Sequence, residues 1–191
     1  MMVTSIMYGQ LKVDANGHLG TTSNVPLIFD VNNVRAGSTG SFSIANASFG
    51  YAALSAITSG TYNTAFGHSA LRNTTTAHYN TAFGANALIA NLTGNGNTAI
   101  GQDALLNNVE GGENTAIGAG ALRHNIGDNN YGRVNTAVGV ASLESNTTGG
   151  GNTAGGIGAL SANTTGSLNT AIGYWTGGRC QQSIQYYSHW Q

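Results

Sequence analysis

The sequence predicts an all-β fold, a parallel β-roll or β-solenoid of about eight coils of 17 residues. The first observation is a motif, Asn-Thr-Ala-φ-Gly-x-x-Ala-Leu with φ a large apolar residue, that recurs along the chain. The second is its spacing: the motif opens at residues 46, 63, 80, 97, 114, 135, 152 and 169, so six intervals are 17 residues and one is 21. The third is that so short a repeat has no core of its own and must stack on its neighbours.

Composition narrows the function before any element is placed. Gly, Ala, Asn and Thr supply 99 of 191 residues, only 13 residues are charged, and the net charge is −1. This excludes a basic nucleic-acid binder, because neutralising several phosphates requires a cluster of Lys and Arg. Disorder is disfavoured because the hydrophobic residues, 40% of the chain, recur at fixed positions. The single cysteine, Cys180, excludes a disulfide framework and a cysteine-based zinc cluster.

Residues 1–45 precede the repeats and are expected to form an attachment or capping region. Asn16-Gly17 is a type I′ turn signal and predicts a β-hairpin. The run Val25–Val31 predicts a strand that begins at the only proline. The N-terminus has no secretion signal and no later segment is a membrane span, so we expect folding in a cytoplasm and no membrane partner.

Residues 46–173 form the repeats, and each coil is expected to run strand, turn, short strand, turn. Side chains alternate along a strand, so Thr and φ share one face while Ala and Gly share the other. We expect the φ side chains and the motif leucines to fill the interior as a core ladder. This ladder comprises Phe66, Phe83, Ile100, Ile117, Val138 and Ile172 with Leu71, Leu88, Leu105, Leu122, Leu143 and Leu160.

The opposite face carries almost no side chains. It contains the motif glycines Gly67, Gly84, Gly101, Gly118, Gly139, Gly156 and Gly173. Because absent side chains let another backbone come close, we expect these glycines to pack against a second chain. A coil with so thin a core also favours association, and a homotrimer is predicted.

Two segments depart from the repeat. Four extra residues within 126–134 are expected to bulge outward, because the register recovers after them. Residues 174–191 are rich in aromatic side chains and form a C-terminal cap or tip. Two interpretations stay open for these aromatics, a plug over the last coil or a platform that contacts a glycan or another partner. They are Tyr174, Trp175, Tyr186, Tyr187 and Trp190.

Sequence evidence for chemistry is weak. His68, His78 and His124 occupy different motif positions, and the acidic residues are scattered through the spacers, although Asp103 and Glu113 could approach each other across coils. We therefore predict no catalytic residue, no metal and no cofactor. An ice-binding face is disfavoured because the single threonine column shares its face with φ, which is expected to point inward.

The repeat resembles the left-handed parallel β-roll of trimeric surface adhesin heads, and more closely the Asn-Thr-Ala-Ile-Gly-x-x-Ala-Leu repeats of bacteriophage tail-fibre proteins. The latter resemblance covers residues 46–173, and the run from Leu11 to Thr22 is similar to segments near the shafts of such fibres. It implies a non-enzymatic virion protein, either a tail fibre or a capsid-surface fibre or cement protein, that binds other virion proteins through its N-terminal region. The alternatives are an adhesin module for a host surface receptor or glycan and, less favoured, an ice-binding solenoid. The chain is too short for the self-cleaving chaperone domain of many phage fibres, and it shows no adhesin signal or anchor.

Overall fold

The structure is a computed structural model that describes residues 11–13, 19–21, 28–31, 34–38, 45–127 and 132–177. These residues are all-β, and eight parallel strands stack as a β-solenoid of about seven turns. The strands are β1 (Leu11–Val13), β2 (Leu19–Thr21), β3 (Ile28–Val31), β4 (Val34–Ser38), β5 (Ala47–Phe49), β6 (Thr64–Phe66), β7 (Thr81–Phe83), β8 (Thr98–Ile100), β9 (Thr115–Ile117), β10 (Thr136–Val138), β11 (Thr153–Gly155) and β12 (Thr170–Ile172). Strands β5 to β12 pair in parallel with the motif in register, so the predicted solenoid is confirmed.

Two antiparallel pairs precede the solenoid. In the pair of β1 and β2, Val13 lies opposite Leu19, which leaves five residues between the paired ends. Asn16 and Gly17, where the sequence predicts a type I′ turn, lie outside the described residues. Strand β3 pairs with β4, and β4 runs antiparallel to β5. This second pair therefore covers the first edge of the parallel sheet.

Each described coil contains one strand, rather than the two expected from the sequence. The remainder is a series of turns whose backbone still bonds to the next coil, as where Leu71 N donates to Ala87 O at 3.0 Å. Positive φ recurs within these turns, for example 57° at Ser69, 51° at Leu71 and 60° at Tyr79. Hydrogen bonding between coils thus continues where the strand geometry ends.

The interior of the coil is narrower than the sequence analysis assumed. The middle alanine of each strand from β6 onward points inward and is buried, as are the motif leucines Leu71, Leu88, Leu105, Leu122, Leu143 and Leu160. The φ half of the expected core ladder is wrong, because these side chains point outward and are exposed: Phe66, Phe83, Ile100, Ile117, Val138 and Ile172. Closely packed alanine, leucine and asparagine leave no interior volume for a second large side chain at each level.

Two columns of buried asparagines fill the other side of the interior. One is formed by the asparagines that open the motif, and the second by Asn91, Asn108, Asn125, Asn146 and Asn163. At one level, Asn97 Nδ2 donates to Asn80 Oδ1 at 3.2 Å and to Gly111 O at 2.8 Å, while Asn97 Oδ1 accepts from Asn114 N at 3.0 Å and Asn114 Nδ2 at 3.2 Å. Asn108 Nδ2 donates to the same Gly111 O at 2.8 Å. Both columns therefore meet at one backbone carbonyl per coil, and these buried amides are satisfied.

The motif glycines pack against their own chain, which corrects their assignment to an interface between chains. A Cβ built on Gly84 would lie 2.5 Å from Gly101 O, and one on Gly118 would lie 2.5 Å from Gly139 C. The same close approach to the next coil occurs at Gly67, Gly101, Gly139 and Gly156, whereas a Cβ on Gly173 would meet the Thr176 side chain at 3.0 Å. Their φ values of +120° to +142° are also accessible essentially to glycine alone. Coil stacking thus accounts for the glycine column without a second chain.

The 21-residue coil preserves the register of the stack. Asn135 N and Nδ2 donate to Asn114 Oδ1 at 3.0 and 3.1 Å, as in the 17-residue coils. Gly132 O accepts from Asn114 and Asn125, which is the role of Gly111 O one coil earlier. The four additional residues therefore enter the sequence immediately before Gly132, and residues 128–131 lie outside the described part of the chain.

Candidate assembly face

The outward side chains of the strands and of the residues that flank them form one continuous surface, called here the outer face. It consists of four columns with one residue per coil, and most of its residues are exposed. The leading column is Ala45, Tyr62, Tyr79, Gly96, Glu113, Val134, Gly151 and Leu168; the threonine column begins at Ala47 and continues as Thr64, Thr81, Thr98, Thr115, Thr136, Thr153 and Thr170; the apolar column is Phe49, Phe66, Phe83, Ile100, Ile117, Val138, Gly155 and Ile172; and the trailing column is Tyr51, His68, Ala85, Gln102, Ala119, Val140, Ile157 and Tyr174.

The first coils of the outer face are aromatic. Rings stack between successive coils because parallel in-register pairing places equivalent side chains directly above one another. The stacked pairs are Phe49 with Phe66 (ring centroids 5.2 Å apart), Phe66 with Phe83 (4.8 Å), Tyr62 with Tyr79 (5.2 Å) and Tyr51 with His68 (5.4 Å). This end therefore presents broad ring surfaces in three of the four columns.

The outer face of the last coils is aliphatic. In the middle coils the strip of apolar side chains is narrower. Exposed aliphatic side chains near the C-terminal end include Val134, Val140, Ile157 and Leu168. In the middle coils the apolar column continues, but the columns that border it contain small or polar residues. These are Ala85, Gly96, Gln102, Glu113 and Ala119. The apolar surface is thus broad at both ends and narrow between them.

The outer face is large for the surface of a monomer. Eight strands at about 4.8 Å spacing extend about 34 Å, and six residue steps at about 3.3 Å give a width of roughly 20 Å. The product is roughly 680 Å² for the whole face, polar columns included, so its apolar part is comparable with the largest apolar patches of about 300–600 Å² that soluble monomers expose. The area of the whole face approaches the roughly 800 Å² per partner of a stable protein interface.

The aromatic C-terminal segment is described only at its start. Tyr174 and Trp175 are exposed and lie edge to face, with ring centroids 6.2 Å apart. The Trp175 ring covers Gly158 of the preceding coil, where an added Cβ would lie 2.6 Å from the ring. Tyr186, Tyr187 and Trp190 lie outside the described residues. Part of this segment thus covers the last coils, and Tyr174 and Trp175 remain accessible for contact.

The titratable side chains of the described ranges are dispersed. His78 Nδ1 accepts from Thr61 N at 3.1 Å, and His68 stacks on Tyr51. Asp103 lies 3.9 Å from Arg123, whereas Glu113 lies 3.2 Å from Arg133. Each of these two acids therefore has a different arginine beside it.

No group of three or more His, Cys, Asp or Glu residues in the described part of the chain is arranged to hold a metal ion. The same residues contain no helix with the length and apolarity needed to cross a membrane.

Comparisons of the sequence with protein-family profiles, with curated proteins and with solved structures find no match. Interpretation of the outer face therefore rests on the residues themselves.

Sequence reasoning missed two groups of residues. The spacer asparagines are absent from the expected core ladder, whereas Asn91 and its equivalents form the second buried column. Their recurrence eleven residues after the motif asparagine was the available signal. The leading and trailing columns were also missed, because their side chains vary from coil to coil and have no consensus.

Proposed function

We propose that this chain is a non-enzymatic structural protein of a bacteriophage virion, where it forms a homotrimeric fibre or spike on the tail or the capsid surface. The observation that carries the association is the exposed apolar column of the outer face. Phe66 is 44% exposed and Phe83 52% exposed although both belong to a regular sheet. Exposed apolar patches of a few hundred Å² in soluble proteins are often interaction sites.

The interior is filled by residues of one chain, whereas the outer face is left exposed to water. Within one chain the alanines, leucines and asparagines already fill the interior and satisfy its amides. The φ side chains have no such cover, and other copies of the same chain would remove them from water. Burial contributes about 25 cal/mol per Å² of apolar surface, so the outer face is the surface whose coverage stabilises an assembly most.

The virion assignment rests on the motif. The Asn-Thr-Ala-φ-Gly-x-x-Ala-Leu repeats resemble those of phage tail-fibre proteins over residues 46–173. In this proposal the N-terminal region binds other virion structural proteins, and host attachment follows from the position of the fibre. The gene neighbourhood tests it, since capsid genes on either side favour a head protein and baseplate genes a tail fibre. Neighbours unrelated to any virion would contradict the assignment.

Association is tested by light scattering coupled to size exclusion. The expected mass is three times the 19.4 kDa of one chain. Ile100→Asp combined with Ile117→Asp places two carboxylates on the apolar column and is expected to reduce the mass to that of a monomer. The control combines Thr93→Asp with Thr165→Asp, at exposed positions outside the outer face, and should leave the mass unchanged. A monomeric parent protein would contradict the proposal.

The outward orientation of Thr and φ gives ice binding a specific observation in its favour. The expectation that both side chains point inward is wrong, and the face presents one threonine column beside one apolar column at regular spacing. A monomer that shows thermal hysteresis, lost in Thr98→Lys, would support this second function. A trimer without hysteresis would support the structural role.

The host-glycan alternative retains the exposed Tyr174 and Trp175 as candidate contacts. Glycan-array binding that is lost in the double variant Tyr174→Ala with Trp175→Ala would support it.

A further inference from the structure

We infer that copies of this chain stack end to end, with β3 of one copy pairing in parallel with β12 of its neighbour, so that the sheet continues from copy to copy. The contact uses the two edges of the ten-stranded sheet, which are β12 at one end and β3 at the other. It involves the ends of the rod rather than the outer face. It is therefore a contact additional to the side-by-side association proposed above, and it is independent of the number of chains in that association.

The strand order gives the two edges of the sheet the same direction. Strand β3 is antiparallel to β4, and β4 is antiparallel to β5, so β3 runs parallel to β5. Strands β5 to β12 all run parallel to one another. A second copy moved along the axis without being inverted therefore presents β3 to β12 as one more parallel strand. A single capping strand in place of β3 and β4 would present an edge of the opposite direction.

The register of the two edges also agrees. Phe29 lies opposite Gly37, and Gly37 lies opposite Phe49, the first residue of the apolar column. The in-register pairing then continues along this column to Ile172 in β12. The irregularity in the pairing of β3 with β4 comes after Phe29 and does not affect this alignment. A copy advanced by ten strands, about 48 Å, therefore places its Phe29 beside Ile172 of the preceding copy and continues the register of the apolar column.

The last strand has two backbone groups without the partners that their equivalents have in the preceding coils. Thr153 N donates to Asn169 O in the next coil at 2.8 Å, and the threonines of β6 to β10 make the same bond. The equivalent donor in β12, Thr170 N, has no acceptor among the described residues. Within the same residues, Ile172 O lacks the glycine N–H that the φ carbonyls of the preceding coils accept. Unpaired groups of this kind are a template for the addition of another strand.

The sequence around β12 lacks the residues that usually prevent pairing at a sheet edge. Soluble proteins protect open edges with charged side chains, with proline or with a covering segment. No charged residue and no proline occurs from Thr164 to Gly177. After β12 and as far as Gly177, the chain bonds back to the preceding coil, where Trp175 N donates to Ile157 O at 2.8 Å and the Trp175 ring covers Gly158. This edge is thus suited to receive a strand, and β3 of a second copy has the direction and register to provide it.

The contact is heterologous, because each copy offers β12 to one neighbour and β3 to the other. Copies that are related by an advance along one axis do not close into a ring, so they form a filament. In the proposed virion fibre, the number of stacked copies then sets the length, while the outer face sets how many chains lie side by side.

The first test compares Thr170→Pro with Thr170→Ala. Proline removes the backbone N–H at this position, whereas alanine retains it. We expect the light-scattering mass of the parent to rise with protein concentration, and electron micrographs to show rods whose lengths increase in steps of about 48 Å. Thr170→Ala should behave in the same way. Thr170→Pro should keep a constant mass and, at the lowest concentration, should unfold at the same temperature as the parent.

The second test does not depend on the proline variant. Phe29→Cys combined with Ile172→Cys, in a Cys180→Ser background, is treated with a short bismaleimide and analysed on a denaturing gel. Within one copy the two sites lie nine strand spacings apart, about 43 Å, which is beyond the reach of the linker. Stacking predicts a ladder of covalent species that extends beyond three copies. Each single cysteine variant has one thiol per copy and should stop at a covalent dimer.

The outcomes separate the stacking from the proposed homotrimer. A trimer whose mass does not change with concentration, and whose cysteine pair gives nothing larger than a covalent trimer, would overturn the stacking and leave the homotrimer standing. If Thr170→Pro is destabilised at the lowest concentration and the parent does not stack, residues 178–191 of the same chain and not a second copy cover β12. Single-file rods of monomers would support the stacking and contradict the homotrimer, whereas a monomer that does not stack would overturn both.

Discussion

The two faces of the same three-residue strands differ in how much their residues vary from coil to coil. On the inner face, the middle residue is alanine in every strand from β6 to β12, and a leucine lies six residues after that alanine in every coil from β6 to β11. On the outer face, the third strand residue changes from Phe66 through Ile100 and Val138 to Gly155. The inner face must fit identical neighbouring coils, so its volume is fixed. The outer face is free to vary along the axis.

The largest expected effect comes from interrupting the inner asparagine columns. Asn97→Leu introduces a side chain of similar size but leaves the buried Asn114 N–H without its acceptor and removes one of the hydrogen bonds of Asn80 Oδ1, Gly111 O and Asn114 Nδ2. An unpaired buried polar group costs about 1–3 kcal/mol and each lost hydrogen bond about 1 kcal/mol, so we expect a loss of about 3 kcal/mol or more in the free energy of unfolding. Urea denaturation measures it. Asn73→Leu, at an exposed position, should change stability by less than about 0.5 kcal/mol.

Two nearby glycines allow the cost of a clash with the next coil to be compared with the cost of a positive φ alone. Gly118→Ala would place Cβ 2.5 Å from Gly139 C at a φ of +133°, whereas Gly120 has φ +68° and an added Cβ would have only Glu144 Oε1 within 4 Å, at 3.9 Å. We expect Gly118→Ala to destabilise by about 2–3 kcal/mol and Gly120→Ala by about 1 kcal/mol. Thermal unfolding monitored by circular dichroism compares them. Equal effects would show that the motif glycine is not confined by the next coil.

Adjacent residues of one strand test the orientation directly. Ala99→Ile adds volume to the filled interior and should cost about 1–3 kcal/mol at every protein concentration. Ile100→Ala removes an outward side chain, so its effect should act through association and depend on protein concentration. Unfolding midpoints measured over a hundredfold concentration range distinguish the two. Concentration-independent destabilisation by Ile100→Ala would place this side chain in the core.

The smallest expected effect concerns the turns that join the two faces. Ala141 has φ 55°, where a Cβ costs about 1–2 kcal/mol, while glycine adds about 0.5–1 kcal/mol of backbone entropy cost. Ala141→Gly should therefore stabilise the protein by about 0.5 kcal/mol. Ala119→Gly lies on the outer face and should destabilise by a similar amount. The pair can be compared by urea denaturation, and a loss of stability in both would contradict the account of these turns.

The sequence predicts the solenoid because its period and composition leave no other way to form a core. It does not predict the orientation of Phe66 or Ile100. Alternation assigns Ala99 and Ile100 to opposite faces but does not say which face is inside, and hydrophobicity favours the larger residue. The deciding quantity is the volume enclosed by a 17-residue coil, which depends on the turn at Leu105 and on the asparagine columns. The constancy of alanine among the copies, against the variation of φ, was the signal in the sequence.

The candidate site was even less accessible to sequence reasoning. Tyr79 and Ala85 belong to different repeats by motif numbering, and only the fold places them on one level. The glycine column was interpreted as an interface because the sequence does not reveal that Gly101 already touches the next coil. Contacts that pass from one coil to the next within a chain and contacts between chains both select small residues, and only the geometry separates them.

The 21-residue coil has a consequence for how such a chain can change in length. Its additional residues enter just before Gly132, whose carbonyl still receives both asparagine columns, and the coils on either side keep their register. Equivalent points precede Gly94, Gly111 and Gly149, which accept the same pairs of amides. The rod can therefore lengthen along its axis by whole coils, about 4.8 Å each, or acquire foreign sequence at its side without altering its length. The number of coils and the size of an insertion can therefore change independently. This suits the fold to carrying inserted peptides at positions along the axis that are set by the number of coils.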